Sequence, residues 1–447
     1  MNGTAVVPSA GEQNRALWLS TVAFTVCFAV WTIFSIIGIA IQKELGLSGT
    51  QFGLLIAMPI LSGSLIRMFL GIWADQYGGR LVLTLVMLVA AAATWMLTWA
   101  TTYPGFLLAA LFVGVAGGSF SVGVTYVSQW FPPQKQGTAL GVFGAGNVGS
   151  AVTKLLAPLV LVAAGWAMVA KVWAIVLAAA GVLYYLTAAD DPKLAERRAS
   201  GAQPMPFRKQ IEPLANLQVW RFSLYYFFVF GGFVALALWL PRYLIGAYGL
   251  DVKTAGLIAA CYSIPASVFR IVGGQLSDRI GARSVMYWTF GVSAICTFLL
   301  SYPDTQYIVK GIDGDIRLSL AIGLVPFTVL VFVLGFFMSL GKAAVYKHIP
   351  VYYPQHVGSV GGVVGMIGGL GGFMLPIAFG ALADYTNIWS SCFMLLFVLV
   401  SAALVWMHFA IRRMDLSRFP RLGEEHDLPE ITAARDAAER AASRRRP

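Results

Sequence analysis

The chain has 447 residues, 58% of them hydrophobic and 11% charged, with a formal net charge of +11 and a mean hydropathy of +0.75. Soluble chains average about 25% charged and about 45–50% apolar residues, so a soluble globular protein is excluded. The basic excess does not indicate a nucleic-acid partner: nine of the 31 lysines and arginines lie from Arg412 onward, six more lie between Lys193 and Arg221, and no basic stripe alternates with aromatics.

A membrane-crossing helix needs about 20 apolar residues. Apolar runs bounded by polar or Gly/Pro punctuation predict spans at 17–42, 51–71, 81–101, 105–130, 137–163 and 168–188. The residues up to Arg15 lack a basic n-region, so the first run is expected to be a retained helix and not a cleaved signal. Asn2 follows Met1, so the helices, not a myristoyl group, are the expected anchor. A polar linker with Asp190, Asp191, Lys193, Glu196, Arg197, Arg198, Arg208 and Lys209 comes next. Six further spans are predicted at 218–246, 253–275, 284–302, 318–347, 355–384 and 387–411, with the longest loop near 303–317.

The expected fold is an all-α membrane protein with twelve transmembrane helices in two pseudo-symmetric halves. Its parts are an N-terminal six-helix half (1–188), a linker (189–217), a C-terminal six-helix half (218–411) and a charged tail (412–447), helical in part between Ile431 and Arg446. Arg80, Lys135, the linker, Arg279, Arg283 and the tail fall on one side. The positive-inside rule makes that side cytoplasmic, with both termini, in a cell inner membrane. Cys27, Cys261, Cys296 and Cys392 each sit in an apolar run without CxxC spacing and are expected to be packing residues. No cofactor and no metal are expected; membrane lipids surround a monomer.

An internal repeat supports the two halves. GIWADQYGGR (Gly71–Arg80) recurs as GQLSDRIGAR (Gly274–Arg283), so that Gly71, Asp75, Gly78 and Arg80 map onto Gly274, Asp278, Gly281 and Arg283. Arg67 maps onto Arg270 at the same offset. Gly137, Gly141 and Gly144 echo as Gly358, Gly362 and Gly365. Parallel halves with a midplane site between them are a transporter plan.

The Asp and Glu residues lie outside the spans or at their edges, as Asp75, Asp278 and Asp384 do, whereas the spans hold Arg67, Arg270, Lys154 and Lys342. Lys171, Arg221, Arg242, Lys347 and His348 lie nearer helix ends. A charge at a helix centre costs about 2.5–3.5 kcal/mol on insertion scales. With no carboxylate at that depth, the simplest partner for Arg67 and Arg270 is a transported anion. Two other readings stand beside it: snorkelling to an interface, four residues before each glycine motif, and pairing with backbone carbonyls. Guanidinium suits a planar oxyanion, because its fork donates two parallel hydrogen bonds and stays charged. At about 4 Å and an effective dielectric of about 20, each attraction is on the order of 4 kcal/mol before desolvation.

Aromatic faces would wall such an anion. Phe28 lies mid-helix in the first span, Phe120 in the fourth, and Tyr226 and Phe230, four apart on one helix face, in the seventh. Ordinary packing competes for each of them. The stretches GTALGVFGAGNVG (Gly137–Gly149) and GSVGGVVGMIGGLGG (Gly358–Gly372) allow close helix approach. Neither is a phosphate loop, since no GK[ST] follows. Asn147, an amide among glycines, is a candidate ligand donor.

These residues resemble a known family. The GxxxDxxGxR loop in both halves resembles the major facilitator superfamily. The glycine stretches, each after an aromatic-Pro pair (Phe131-Pro132, Tyr353-Pro354), resemble its nitrate/nitrite porter branch, as do FAVWTIFS at Phe28–Ser35 and FPPQKQGTALG at Phe131–Gly141. The resemblance covers essentially all twelve spans. It implies a major facilitator fold and alternating access, with Arg67 and Arg270 as the substrate arginines and Phe28, Phe120, Tyr226 and Phe230 as the surrounding aromatics. Asn147 matches a polar residue of the glycine signature. The loop and glycine motifs (Gly71, Asp75, Arg80, Gly274, Asp278, Arg283, Gly141, Gly144, Gly362, Gly365) are the expected conformational elements.

Against exchanger members, whose corresponding positions look neutral, the chain departs at Lys154, Lys342, Lys347 and His348. An empty site with two fixed arginines resists rearrangement, which favours exchange; a symporter must return empty, and a group that gains and loses a proton would reset the charge. The expectation is nitrate uptake, nitrite also being accepted, in symport with protons. Lys154 is the sharpest coupling candidate, and Lys342, Lys347 and His348 read alternatively as a basic vestibule. Nitrate/nitrite antiport and transport of another small anion remain alternatives. A membrane sensor would be expected to carry a soluble domain larger than a tail. A membrane enzyme would need HExxH, paired intramembrane carboxylates or GxSxG, none of which occurs.

Overall fold

The computed structural model describes residues 9–131, 133–190, 215–352 and 357–418. Pro132, Tyr353 and Pro354 of the aromatic-Pro pairs, most of the linker, and the tail beyond Arg418 lie outside the described residues, as do the carboxylates of Asp75 and Asp278.

Eleven described stretches are long and apolar enough to cross a membrane. One, Thr138–Thr187, has 50 residues, which at 1.5 Å per residue is about 75 Å. That is more than twice the ~30 Å hydrocarbon core, so it makes two crossings. They part at Gly165, whose φ of 78° breaks the helix. Only glycine adopts that backbone without a steric cost. The helices are α1 (Ala10–Leu45), α2 (Gly49–Tyr77), α3 (Gly79–Met96), α4 (Tyr103–Trp130), α5 (133–164), α6 (166–187), α7 (Leu217–Tyr248), α8 (252–280), α9 (Ala282–Leu300), α10 (Leu324–Tyr352), α11 (Val357–Thr386) and α12 (Ser391–Arg418).

Local chemistry sets their ends. Ser9 and Ser48 build capping boxes with Glu12 and Gln51, satisfying the first N–H groups of α1 and α2. Gly78 and Gly281, the repeat glycines after α2 and α8, take nearly the same backbone: φ 95°, ψ 139° and φ 83°, ψ 140°. The sequence repeat is therefore a repeat of conformation.

Between α9 and α10 the structure departs from the expected loop. Thr305–Gly311 (β1) and Gly314–Leu320 (β2) form an antiparallel hairpin with Thr305 opposite Leu320. The two-residue turn is Ile312-Asp313, between the paired Gly311 and Gly314, and Gly314 takes a φ of 140° directly after it. Both strands are largely exposed, so no buried face marked them by hydropathy. As a result, Leu318–Leu320, placed in the tenth span, belong to β2, and the helix begins at Leu324.

Five helices lose their regular form at one zone of the bundle. α1 breaks at Thr32–Ile33, α4 passes through a 3₁₀ turn at Gly114–Gly118 and α5 through another at Ala145–Val148. α7 widens to a π turn at Phe227–Gly232, and α8 breaks at Phe269. Irregular backbone at membrane depth is tolerated only where protein or a cavity covers it. These segments surround the interface along which α2 packs on α11 and α5 on α8.

Candidate functional site

Arg67 and Arg270 sit inside this zone, each 6% exposed. Neither reaches a surface, which removes the snorkelling geometry. Arg67 lies on α2 and donates from Nε to Gly117 O (3.2 Å) in the 3₁₀ turn of α4. Its guanidinium carbon stands 5.2 Å from the Trp31 ring centre, 5.5 Å from Phe120 and 5.5 Å from Phe230. Arg270 follows the break at Phe269, 5.8 Å from the same Phe120 ring and 5.7 Å from Tyr346. One benzene ring therefore serves both cations. Each such contact contributes on the order of 2 kcal/mol when desolvated, yet a ring neutralises no charge.

Tyr226 stacks on Phe230 (5.1 Å, 6°) and its hydroxyl contacts Arg270 and Tyr346. The π turn begins one residue later, between this pair. Phe28 is one ring removed from the cations. It packs edge-on to Trp31 (5.2 Å) and stacks on Phe233 (6.4 Å, 20°).

Buried polar atoms here lack partners. Arg270 Nη1, both side-chain heteroatoms of Asn147, and Ser64 Oγ have no acceptor or donor among the described residues. Buried polar atoms are normally satisfied, and each orphan costs about 1–3 kcal/mol. The one described ion pair within 4 Å is Arg80–Asp190 (3.3 Å), at an exposed edge; there Arg80 also donates to Tyr185 O (2.7 and 2.9 Å) and ties α3 to α6. Arg283, its counterpart in the repeat, is buried. The described residues thus form a desolvated pair of cations with aromatic walls and unpartnered donors, an arrangement able to hold a small oxyanion.

The glycine stretches cradle the arginines crosswise. A Cβ at Gly144 on α5 would stand 3.0 Å from Arg270 Nη1. A Cβ at Gly369 on α11 would stand 3.6 Å from Arg67 Nη1 and would clash with Ser64 Oγ. Each guanidinium enters space left by a missing side chain in the other half. Within the C-terminal half, Gly365 leaves room for Tyr346, whose hydroxyl would lie 2.8 Å from an added Cβ. Gly71 and Gly141 have only loose neighbours, at 3.8 and 3.9 Å, and Gly274 and Gly362 face open space. Sequence reasoning missed Trp31, Tyr346, Ser64 and the Gly–Arg pairing. Available signals were weak: Trp31 is three residues after Phe28, Ser64 three before Arg67, and Tyr346 four after Lys342, each sharing a helix face.

The four basic candidates separate in space. Lys154, fully buried on α5, donates to Ser150 O (3.0 Å) of its own helix and packs against Gly256 of α8. Lys342, fully buried on α10, donates to Ala266 O, lies 3.5 Å from the centre of the Phe233 ring and feels the charge of Arg270. His348 stacks on Phe222 (5.3 Å, 3°), and Lys347 is half-buried. The four cysteines are free thiols.

Residues 19–323 and 248–443 match the family model described as Major Facilitator Superfamily. A Thermus thermophilus protein named "Probable nitrate/nitrite antiporter NarK1" is 44% identical over 431 residues, 93% of this chain and 96% of that protein. The "Nitrite extrusion protein" of Bacillus subtilis (strain 168) is 28% identical over 90% of this chain and 96% of its own length. A "Probable nitrate transporter NarT" of Staphylococcus aureus (strain Newman) is 30% identical over 88% and 94%. Among solved structures, a bacterial homologue of the human lysosomal transporter Spinster, inward-facing and occupied, superposes with a TM-score of 0.68 at 16% identity, covering 91% of this chain and 98% of that one. A point mutant of the nucleoside transporter NupG gives 0.67 at 15% identity, covering 88% and 99%. These two likenesses concern the fold alone.

Proposed function

The chain belongs to the major facilitator superfamily and, within it, to the nitrate/nitrite porters, and from that premise we propose that it carries nitrate, and nitrite with it, across the inner membrane by alternating access in symport with protons. The observation that carries the substrate is the pair of buried guanidiniums around one Phe120 ring, with no carboxylate paired to them among the described residues. Removing two such charges from water costs several kcal/mol each unless a partner compensates. A flat monovalent anion between the forks supplies that partner and takes hydrogen bonds from Arg270 Nη1 and Asn147. The aromatic walls favour a planar ion over a bulkier carboxylate. Both termini and the basic linker face the cytoplasm.

For the proton, Lys342 is the one of the four basic candidates that feels the charge of Arg270. It is held by a backbone carbonyl and a ring face, and it has no ionic partner among the described residues, which leaves a bound anion to balance its charge. Lys154 is occupied within its own helix, which makes it the less direct candidate. A nitrate/nitrite exchange reading is favoured by the name of the Thermus thermophilus relative.

Purified protein in liposomes separates the two. With no internal anion, nitrate should accumulate when the outside is made acidic, and uptake should fall when the proton gradient is collapsed. Arg67→Lys and Arg270→Lys should abolish uptake while reaching the membrane, because an ammonium lacks the fork. Uptake indifferent to the gradient and dependent on internal nitrite would defeat symport and leave exchange. Lys342→Met should keep nitrate/nitrite exchange and lose gradient-driven uptake; proton-driven uptake at wild-type rate would clear Lys342 of the role.

A further inference from the structure

The central site has a counterpart at the end of the bundle opposite the linker. Arg242 lies there on α7, half-buried, six residues before the helix ends at Tyr248. Its Nε donates to Gln42 Oε1 (2.6 Å) on α1, across the interface. Its guanidinium carbon stands 5.4 Å from the Phe52 ring centre, 5.9 Å from Trp239 and 4.7 Å from Trp389. The construction repeats that of Arg67: Nε tied to one acceptor, three aromatic rings around the fork, and an Nη pair with no acceptor among the described residues.

The nearest carboxylate does not close this fork. Asp384 on α11 is within electrostatic reach of Arg242, but it is not paired with it within 4 Å. Its oxygens accept from Gly49 N (2.8 Å), Thr50 N (2.7 Å) and Thr50 Oγ1 (2.6 Å) at the start of α2. Those bonds use the carboxylate to cap a helix whose N–H groups carry partial positive charge. Arg242 is left without a direct ionic partner among the described residues, balanced only at a distance by Asp384, at the mouth of the interface.

We propose that Arg242 is a second anion station, taking a small planar monovalent oxyanion at the outer rim before it passes to the Arg67–Arg270 site. The proposal rests on the anion-transport reading given above and adds where the ion is first captured. A rim cation raises local anion concentration and association rate, and the effect falls with ionic strength.

The test is nitrate uptake by purified protein in liposomes at low and high ionic strength, set with potassium gluconate. Arg242→Gln should raise KM about fivefold at low salt, leave kcat near wild type, and flatten the salt dependence of kcat/KM. Arg242→Lys should keep most of the salt dependence, since the charge survives. Gln42→Ala removes the brace on Nε but not the charge, and should also keep the salt dependence. An unchanged KM and salt slope in Arg242→Gln would overturn the station. So would Gln42→Ala reproducing the full loss, because Arg242 would then be only a brace between the halves. If Arg242→Gln does not reach the membrane, Arg242→Lys decides: loss of the salt slope with the charge retained would overturn the proposal. Failure of the transport reading is distinct, since a wild-type protein that moves no nitrate at either ionic strength would fail before Arg242 is changed.

Discussion

At the scale of single residues, space matters as much as charge. Gly144 and Gly141 are one helical turn apart in the same stretch, but their surroundings differ. A methyl group at 144 would press on the flexible end of Arg270, 3.0 Å away, whereas at 141 the nearest atom is Ile271 Cα at 3.9 Å, ordinary contact. Gly144→Ala should therefore fold, because the arginine can yield by a few tenths of an ångström, and helix propensity gains about 0.5–1 kcal/mol. The displaced guanidinium should cost at least about tenfold in nitrate kcat/KM, since misplacement of a binding group by an ångström can cost a hundredfold. Gly141→Ala should keep most of the transport. Uptake assays on the two variants at matched membrane levels check this, and equal effects would show that the stretch serves packing alone.

At the scale of elements, the spans and the repeat were legible because both are local and periodic. Twenty apolar residues in a row can be counted, and Gly71–Arg80 can be laid on Gly274–Arg283. The crossing pattern of α5 and α6 was legible for the same reason, through Gly165 between two apolar runs. The hairpin at Thr305–Leu320 was missed because its strands are exposed on both faces and carry no amphipathic signal; the glycines that flank its turn, Gly311 and Gly314, were the cue available. The 3₁₀ turns at Gly114–Gly118 and Ala145–Val148 and the π turn at Phe227–Gly232 each contain glycine, but glycine is spread through many of these spans and does not say where a helix changes form. Two of them lie where other elements approach closely: Gly114 against Pro59 and Ser62, and Gly231 against Gly368 and Gly371. Of the site, the two arginines were legible from the cost of a buried charge. Trp31, Tyr346 and the crosswise glycines were not, because they depend on which helix of the other half lies opposite.

At the scale of the whole molecule, the two halves meet most closely at the end away from the linker. The backbones of Gly53 and Pro376, and of Gly49 and Gly380, are in direct contact there, which only glycine permits. Asp384 fastens this contact by capping α2 across 335 residues of sequence. A side-chain cap contributes about 0.5–2 kcal/mol, and 1.4 kcal/mol is about tenfold in an equilibrium constant. If the halves open at this end by rocking, the cap is made only in the closed state, so its loss should move the balance toward the open one by about that factor. Asp384→Ala should accordingly raise hydrogen–deuterium exchange at the start of α2 and also along Pro376–Gly380 of α11, whose amides the Asp384 carboxylate does not bond, while α9 stays protected. Faster exchange confined to the amides of Gly49 and Thr50 would mean that the carboxylate merely finishes a helix end, and that the closed contact stands on glycine packing without it.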